Sequence, residues 1–256
     1  MVVPQVRALA EPLYGVRTHY VEAGDGDPLI LVHGGGPGAS GASGWGRLIP
    51  LLADSFHVLA IDLVGSGHSD KPLVEYSFQT LVDHLTGFVD ALGLPRVRLV
   101  GNSQGAYVAM KYALDHPARV QQVGTIGTAT LASAVGLCDD GRALPLPRFD
   151  GSRESLVAFL QTIVNDPARL TEELVEARFA VASLPGHREM LDSMGRRPGR
   201  SLVVACEPAD VSPGMGLSGP VRAALPHAVR AVEEILDRIR EEVQGEEGAH
   251  EVVQGD

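Results

Sequence analysis

The sequence predicts an α/β fold, a mostly parallel sheet with helices on both faces, and three observations carry that prediction. Short apolar runs bounded by Gly, Pro and Asp alternate with segments of helical period. Between 78 and 92 the apolar residues Phe78, Leu81, Val82, Leu85, Phe88, Val89 and Leu92 fall on one stripe, which Gly93 and Pro95 bring to an end. The apolar run Val97-Arg98-Leu99-Val100 leads directly into Gly101-Asn102-Ser103-Gln104-Gly105, where a strand turns sharply through small residues into a helix.

Taken in order, the apolar runs place strands at 17–22, 28–33, 57–62, 97–102 and 121–127, and the helical periods place helices at 78–92 and from Gln104 to about Asp115. From 136 to 153 the composition turns to Gly, Pro, Arg and Asp, and polar helical text follows from about 154 to 195, which is where a partial helical lid would be inserted. A short strand at 201–206 and a helix at 221–243 come next. That helix carries the stripe Leu225, Val229, Val232, Leu236, Ile239 and Val243, with Glu234 and Arg238 paired on its outer face. The expected organisation is a core over 1–135, a lid over 136–198, a strand-helix segment over 199–244 and an acidic, frayed tail over 245–256.

Composition limits the function. A chain of 256 residues with 45% hydrophobic content can bury a large core, and a net charge of −11 argues against nucleic-acid or anionic-membrane partners. No apolar stretch reaches the length of a membrane span, no export signal opens the chain, and two cysteines, Cys138 and Cys206, make no disulfide framework. These features predict a cytoplasmic protein acting on a small molecule, without metal or cofactor. They leave the oligomeric state open, a homo-oligomer included.

Ser103, lifted clear of the sheet by its turn, reads as a nucleophile. Between the second strand and the rest of the chain lies His33-Gly34-Gly35-Gly36-Pro37-Gly38-Ala39, a loop with so little side-chain bulk that its N–H groups can approach a reacting carbonyl. A phosphate cradle is the alternative, but neither G-x-G-x-x-G opening a helix nor Gly-Lys-Ser/Thr is present. The expected oxyanion donors are Gly35 or Gly36 together with Gln104, and His33 is expected to be a structural neighbour.

Leu31 to Ala39, Ile61-Asp62-Leu63-Val64-Gly65-Ser66-Gly67-His68-Ser69-Asp70 and Gly101 to Gly105 together resemble the α/β-hydrolase superfamily. More narrowly, they resemble the meta-cleavage-product hydrolases, which cut a carbon-carbon bond in vinylogous 2-hydroxy-6-oxo-dienoic acids. Leu170 to Phe179 resembles that family's lid helix; the resemblance implies that Arg178 contacts the substrate carboxylate and that Asn102 helps hold the substrate. Departures are extra sequence at Ser40 to Ser43, and Arg47 where the family carries a substrate-contacting asparagine.

The resemblance covers about 15–195. The strand ending in the triad aspartate and the Gly-His loop that the family would supply next cannot be found. Instead Leu202 to Pro208, Gly216-Leu217-Ser218 and Val221 to Val232 resemble the C-terminal strand, loop and helix of hydrogenase maturation endopeptidases, which implies a junction near 195–201. Those proteases are nickel-dependent, but their metal-recognition residues lie upstream of the matching segment, so no nickel site carries over. For the acid, Glu207 and Asp210 stand at the right topological place, with loop solvation the commoner fate; for the base, the order serine, acid, histidine leaves His227 and His250, each with the bland reading of a solvated surface residue. Cys138 lacks a paired histidine and reads as a small residue rather than a reactive thiol. Three functions follow: a serine hydrolase of a small carboxylate-bearing substrate, a crippled or chimeric α/β-hydrolase domain that only binds small molecules, and, resting on a fifth of the chain, a hydrogenase-processing protease.

Overall fold

The computed structural model describes residues 4–10, 15–127 and 146–194. Six strands form one sheet: β1 (Gln5–Ala10), β2 (Arg17–Ala23), β3 (Asp27–Val32), β4 (Phe56–Ile61), β5 (Val97–Asn102) and β6 (Val120–Ile126), in the order β1-β2-β4-β3-β5-β6. β4, β3, β5 and β6 run parallel, while β2 is antiparallel to both β1 and β4. The five strands expected from sequence are therefore present with ends within a residue. β1 was not anticipated, because its Gln5-Val6-Arg7-Ala8 text is solvent-facing and offers no buried run.

The central strands are apolar on both faces, as a sheet covered on two sides requires. Ile30, Val32, Leu59, Ile61 and Leu99 face a core completed by Leu81, Leu85, Phe88 and Val89 of α3 (Phe78–Ala91) and by Val108, Ala109 and Tyr112 of α4 (Gln104–Asp115). The alternate residues Leu29, Leu31, Val58 and Ala60 face Trp45 of α1 (Gly41–Trp45) and Ile49 of α2 (Ile49–Leu52). Each fully buried large aliphatic side chain contributes about 1.5–3 kcal/mol, so this alternation is what holds the register.

Local signals set the helix ends. Ser77 caps α3 through Thr80 in a reciprocal capping box, and Gly93 at φ +63° stops it in a conformation that glycine adopts without strain. Above the strand ends lie α5 (Arg153–Ile163), α6 (Glu172–Ala182) and α7 (His187–Met194), packed around Phe149, Leu156, Phe159, Leu160 and Val175. These three helices occupy the expected lid text, each of the first two opened by a hydroxyl cap, Ser152 and Thr171. The expected strand at 201–206 and helix at 221–243, with Glu234 and Arg238, lie outside the described residues, as do Cys138 and Cys206. Among the described residues no helix is long and apolar enough to cross a membrane.

Candidate active site

Ser103 sits between β5 and α4 with φ +51° and ψ −117°, and it alone among described non-glycine residues has positive φ. Its turn is held by its own N–H donating to Ile126 O at 2.8 Å on β6, and by Ala106 N–H donating to Ser103 O at 3.0 Å. Two glycines make the turn sterically feasible: a Cβ on Gly101 would stand 2.2 Å from Gly105 O, and one on Gly105 would stand 2.3 Å from Val32 O. The Ser103 side chain does not cap α4, so the first N–H groups of that helix, Gln104 included, remain directed at the site with the positive end of the helix dipole.

The glycine loop after β3 packs against this elbow. A Cβ on Gly34 would lie 3.2 Å from Ser103 Cβ, and one on Gly35 would lie 2.1 Å from Gln104 Oε1. The N–H groups of Gly34, Gly35 and Gly36 donate to no described residue, so they are free for a ligand oxygen. Gly36, at φ +112°, faces the lid instead, where a Cβ would meet the Phe159 ring at 2.6 Å. Asn102 donates from Nδ2 to Ile126 O at 3.3 Å, and its Oδ1 lies against the Gly34 position.

Arg178 flanks the other end of the same loop, its carbonyl 2.0 Å from where a Gly38 Cβ would stand. The residue is 9% exposed. Nη1 donates to Ser43 Oγ at 3.3 Å, but Nε and Nη2 are buried without a hydrogen-bond partner among the described residues. Burial pushes its pKa down to about 10, the signature of a guanidinium in want of a counter-charge. Ser43 and Arg47 border a cavity of about 1190 Å³ between α1 and α6, closed by Leu174, Ala177 and Val181; neither Ser103 nor Arg178 is among its walls.

Among the described residues His33, His187 and His84 each spend both ring nitrogens on hydrogen bonds. His33 donates from Nδ1 to Gly34 O and accepts Leu63 N–H at Nε2; burial lowers its pKa. His187 on α7 accepts Gly38 N–H at 3.0 Å and donates to Gly65 O at 3.1 Å, tying the loop to the lid. His84 accepts Val64 N–H and donates to Thr18. Burial brings both His187 and His84 down to about 4, so both are neutral spacers. Two described histidines are oriented by a carboxylate: His57, whose Nε2 lies 2.6 Å from Glu22 Oε1, and His19, whose Nδ1 lies 2.7 Å from Asp62 Oδ2; His19 is the one that lines a cavity. His19 stands on β2, however, three strand positions from β5, about 14 Å at the usual spacing, too far to serve Ser103.

Among the described residues no side chain hydrogen-bonds the Ser103 hydroxyl, and no group of three His, Cys, Asp or Glu side chains could hold a metal ion. Glu207, Asp210, His227 and His250, the candidate acids and bases, lie outside the described residues. His187, Asp62 with His19, and Phe159 were not singled out from sequence. Only Asp62 carried a signal, through its place in the Gly65-Ser66-Gly67 motif text.

Residues 27–218 match the family described as alpha/beta hydrolase fold. A 2-hydroxy-6-oxo-6-(2'-aminophenyl)hexa-2,4-dienoic acid hydrolase of Metapseudomonas resinovorans is 34% identical over 170 residues, covering 66% of this chain and 57% of that one. This chain thus aligns with less than two thirds of that relative's length. A 2-hydroxymuconate semialdehyde hydrolase of Pseudomonas sp. strain CF600 is 32% identical, covering 88% of this chain and 75% of that one. Among solved structures, a 2-hydroxy-6-oxo-6-phenylhexa-2,4-dienoate hydrolase of Rhodococcus sp. strain RHA1 superposes with a TM-score of 0.65 at 28% identity, covering 76% of this chain and 71% of that one.

Proposed function

The chain belongs to the α/β-hydrolase fold family, and from that premise we propose that it hydrolyses a carbon-carbon or ester bond in a small carboxylate-bearing substrate of the 2-hydroxy-6-oxo-dienoate kind. The observation that carries the reading is Arg178: a buried guanidinium whose Nε and Nη2 have no partner among the described residues matches the two oxygens of a carboxylate. In this reading Ser103 Oγ bonds to the substrate carbonyl carbon. The carbonyl electron pair moves to oxygen, where N–H groups of Gly35 or Gly36 and Gln104 receive it, and Asn102 holds the substrate beside the nucleophile. In a dienoate the 2-hydroxyl proton first shifts to C5, giving the 2,6-diketo form; collapse of the intermediate then breaks the C5–C6 bond, its electron pair passing through the C3–C4 double bond to the C2 oxygen, which takes a proton. Water releases the acyl group from Ser103.

The serine proton needs a base. Glu207 or Asp210 as acid and His227 or His250 as base are the proposed surrogates. Because His33, His84 and His187 spend both nitrogens on structure, a second reading is a domain that binds the same ligand without turning it over. In the organisation proposed here, 1–135 forms the core and 136–198 the lid; 199–244, resembling part of a hydrogenase maturation endopeptidase, replaces the last strands, with the tail over 245–256. A third reading as a processing protease rests on that segment alone. A cytoplasmic site of action without nucleic-acid partners accords with the net charge of −11.

The test pairs Arg178→Ala with Ser103→Ala in the full chain. Arg178→Ala should weaken binding of a meta-cleavage product by about 10- to 150-fold, the worth of a charged hydrogen bond, while a neutral p-nitrophenyl ester is nearly unaffected. Equal effects on both ligands would remove the carboxylate role. A turnover number of about 1 s⁻¹ or more, abolished by Ser103→Ala, supports the enzyme over the binding domain. Failure of a fluorophosphonate to label Ser103 while the dienoate still binds supports the reverse.

A further inference from the structure

A second cavity, of about 670 Å³, opens between the β1–β2 hairpin and the loop that follows β4, closed on the lid side by Leu184 and Pro185. That volume suits a small ligand. Its polar wall consists of Arg17, His19, His68, Ser69, Asp70 and Lys71, a cationic surface in a chain whose net charge is −11.

The negative groups here are already committed. Asp70 accepts from Arg17 N at 3.0 Å and from the Arg17 guanidinium at 3.4 Å. Asp62, fully buried beneath the wall, accepts from Gly41 N at 2.6 Å, His68 N at 2.8 Å and His19 Nδ1 at 2.7 Å. Burial alone would raise its pKa, but the hydrogen bond from His19 and the neighbouring donors hold the carboxyl below its usual range. Arg17 shares its guanidinium with Asp70, but Lys71 is not so committed. Lys71 Nζ donates to two neutral carbonyls, Gly67 O and Ser69 O, both at 2.9 Å, and among the described residues it meets no carboxylate within salt-bridge distance. Its third N–H is left over. With Nδ1 of His19 bound to Asp62, the ring presents Nε2, which has no described partner, and the His68 ring lies 5.0 Å from it, centroid to centroid, with no side-chain hydrogen bond of its own.

We propose that this cavity binds a small divalent oxyanion, a phosphate or a dicarboxylate, held by Lys71 Nζ with Arg17 and the imidazoles of His19 and His68. A half-buried ammonium that donates only to two carbonyls, with Asp62 and Asp70 near it but outside salt-bridge distance, keeps one N–H for which an oxyanion supplies the acceptor. Asp62 accepts from His19 Nδ1–H, so the nitrogen left for the ligand is Nε2, which donates to an oxyanion in the imidazolium form of the ring; Ser69 locks the loop by donating to Asp62 O at 2.6 Å and accepting His19 N–H at 2.8 Å. The site is separate from Ser103 and stands whether or not that serine turns substrate over.

Calorimetric titration of the full chain with inorganic phosphate, and separately with succinate, at ionic strength fixed by sodium chloride tests the proposal. One saturable site is expected for at least one of them; phosphate alone or succinate alone names the source of the oxyanion. Lys71→Met should weaken it by about tenfold or more, while Lys71→Arg and Arg178→Ala should leave it nearly unchanged. If Lys71→Met does not fold, His68→Ala, whose ring makes no hydrogen bond, should weaken the site by about tenfold. A response no different from that to chloride, unchanged affinity in both Lys71→Met and His68→Ala, or loss in Arg178→Ala with retention in Lys71→Met would overturn it.

Discussion

Lowering the pH from 7 to 5 should cost this protein much of its stability, because its interior holds histidines that must stay neutral. His84 and His187 are wholly buried, each with one nitrogen accepting a backbone N–H, and each has a pKa of about 4 against an ordinary 6.5. The unfolded chain takes up protons below 6.5 and the folded chain does not until about 4, so stability is complete above 6.5 and falls as pH drops through that window. At about 1.4 kcal/mol per pH unit for each group, the interval from 6.5 to 5 removes about 2 kcal/mol per histidine, or about 4 kcal/mol for the pair. A domain with about 5–15 kcal/mol in total would feel that loss. His33 and His68 are lowered too and act with the same sign. Asp62 and Glu22, also lowered, have ordinary values near 3.8 and 4.5, so their contribution is lost mainly below this interval. Urea unfolding across pH 5 to 7 reads the slope directly. Replacing His187 by Gln, which can still accept from Gly38 and donate to Gly65, should reduce the slope by about 1.4 kcal/mol per pH unit. Stability that stays flat over the interval, or a slope unchanged in both His84→Gln and His187→Gln, would refute the reasoning.

Three further outcomes are expected. Tyr112 is completely buried with its hydroxyl unpartnered among the described residues, so Tyr112→Phe should raise stability by about 1 kcal/mol, seen as a higher melting temperature; a fall would mean that the hydroxyl has a partner. Ser103→Gly should relieve the cost of a side chain at φ +51°, raising the urea midpoint by an amount equivalent to about 1 kcal/mol after glycine's entropy is counted, while abolishing fluorophosphonate labelling; a lower midpoint would show that the turn is unstrained. Gly38→Ala places a methyl 2.0 Å from Arg178 O at φ +67°, and should lose about 1–3 kcal/mol in urea unfolding together with carboxylate binding; a neutral result would show that α6 can move away from the loop.

The sheet was legible because its strands are short apolar runs with both faces buried, and that pattern is local. Leu29 to Val32 and Val58 to Ile61 each fill two cores by alternation, and the small residues Gly101 and Gly105 announce the tight turn at Ser103 without any knowledge of its neighbours. The same locality let the lid helices be read from their text. β1 escaped, since its stability comes from pairing with β2 rather than from burial. What only the tertiary structure decided is which polar groups meet. Gly38 and His187 are 149 residues apart, Arg178 and Ser43 135, and His19 and Asp62 43. These meetings follow from the strand order β1-β2-β4-β3-β5-β6 and from how the lid folds back over the strand ends, neither of which leaves a period in the sequence. A histidine's role is fixed by the partners of its two nitrogens, and an arginine's by the partners it lacks. Sequence therefore identified Ser103 and Arg178 as candidates, while the fold turned His33, His84 and His187 into neutral struts and left Nε and Nη2 of Arg178 without a partner among the described residues.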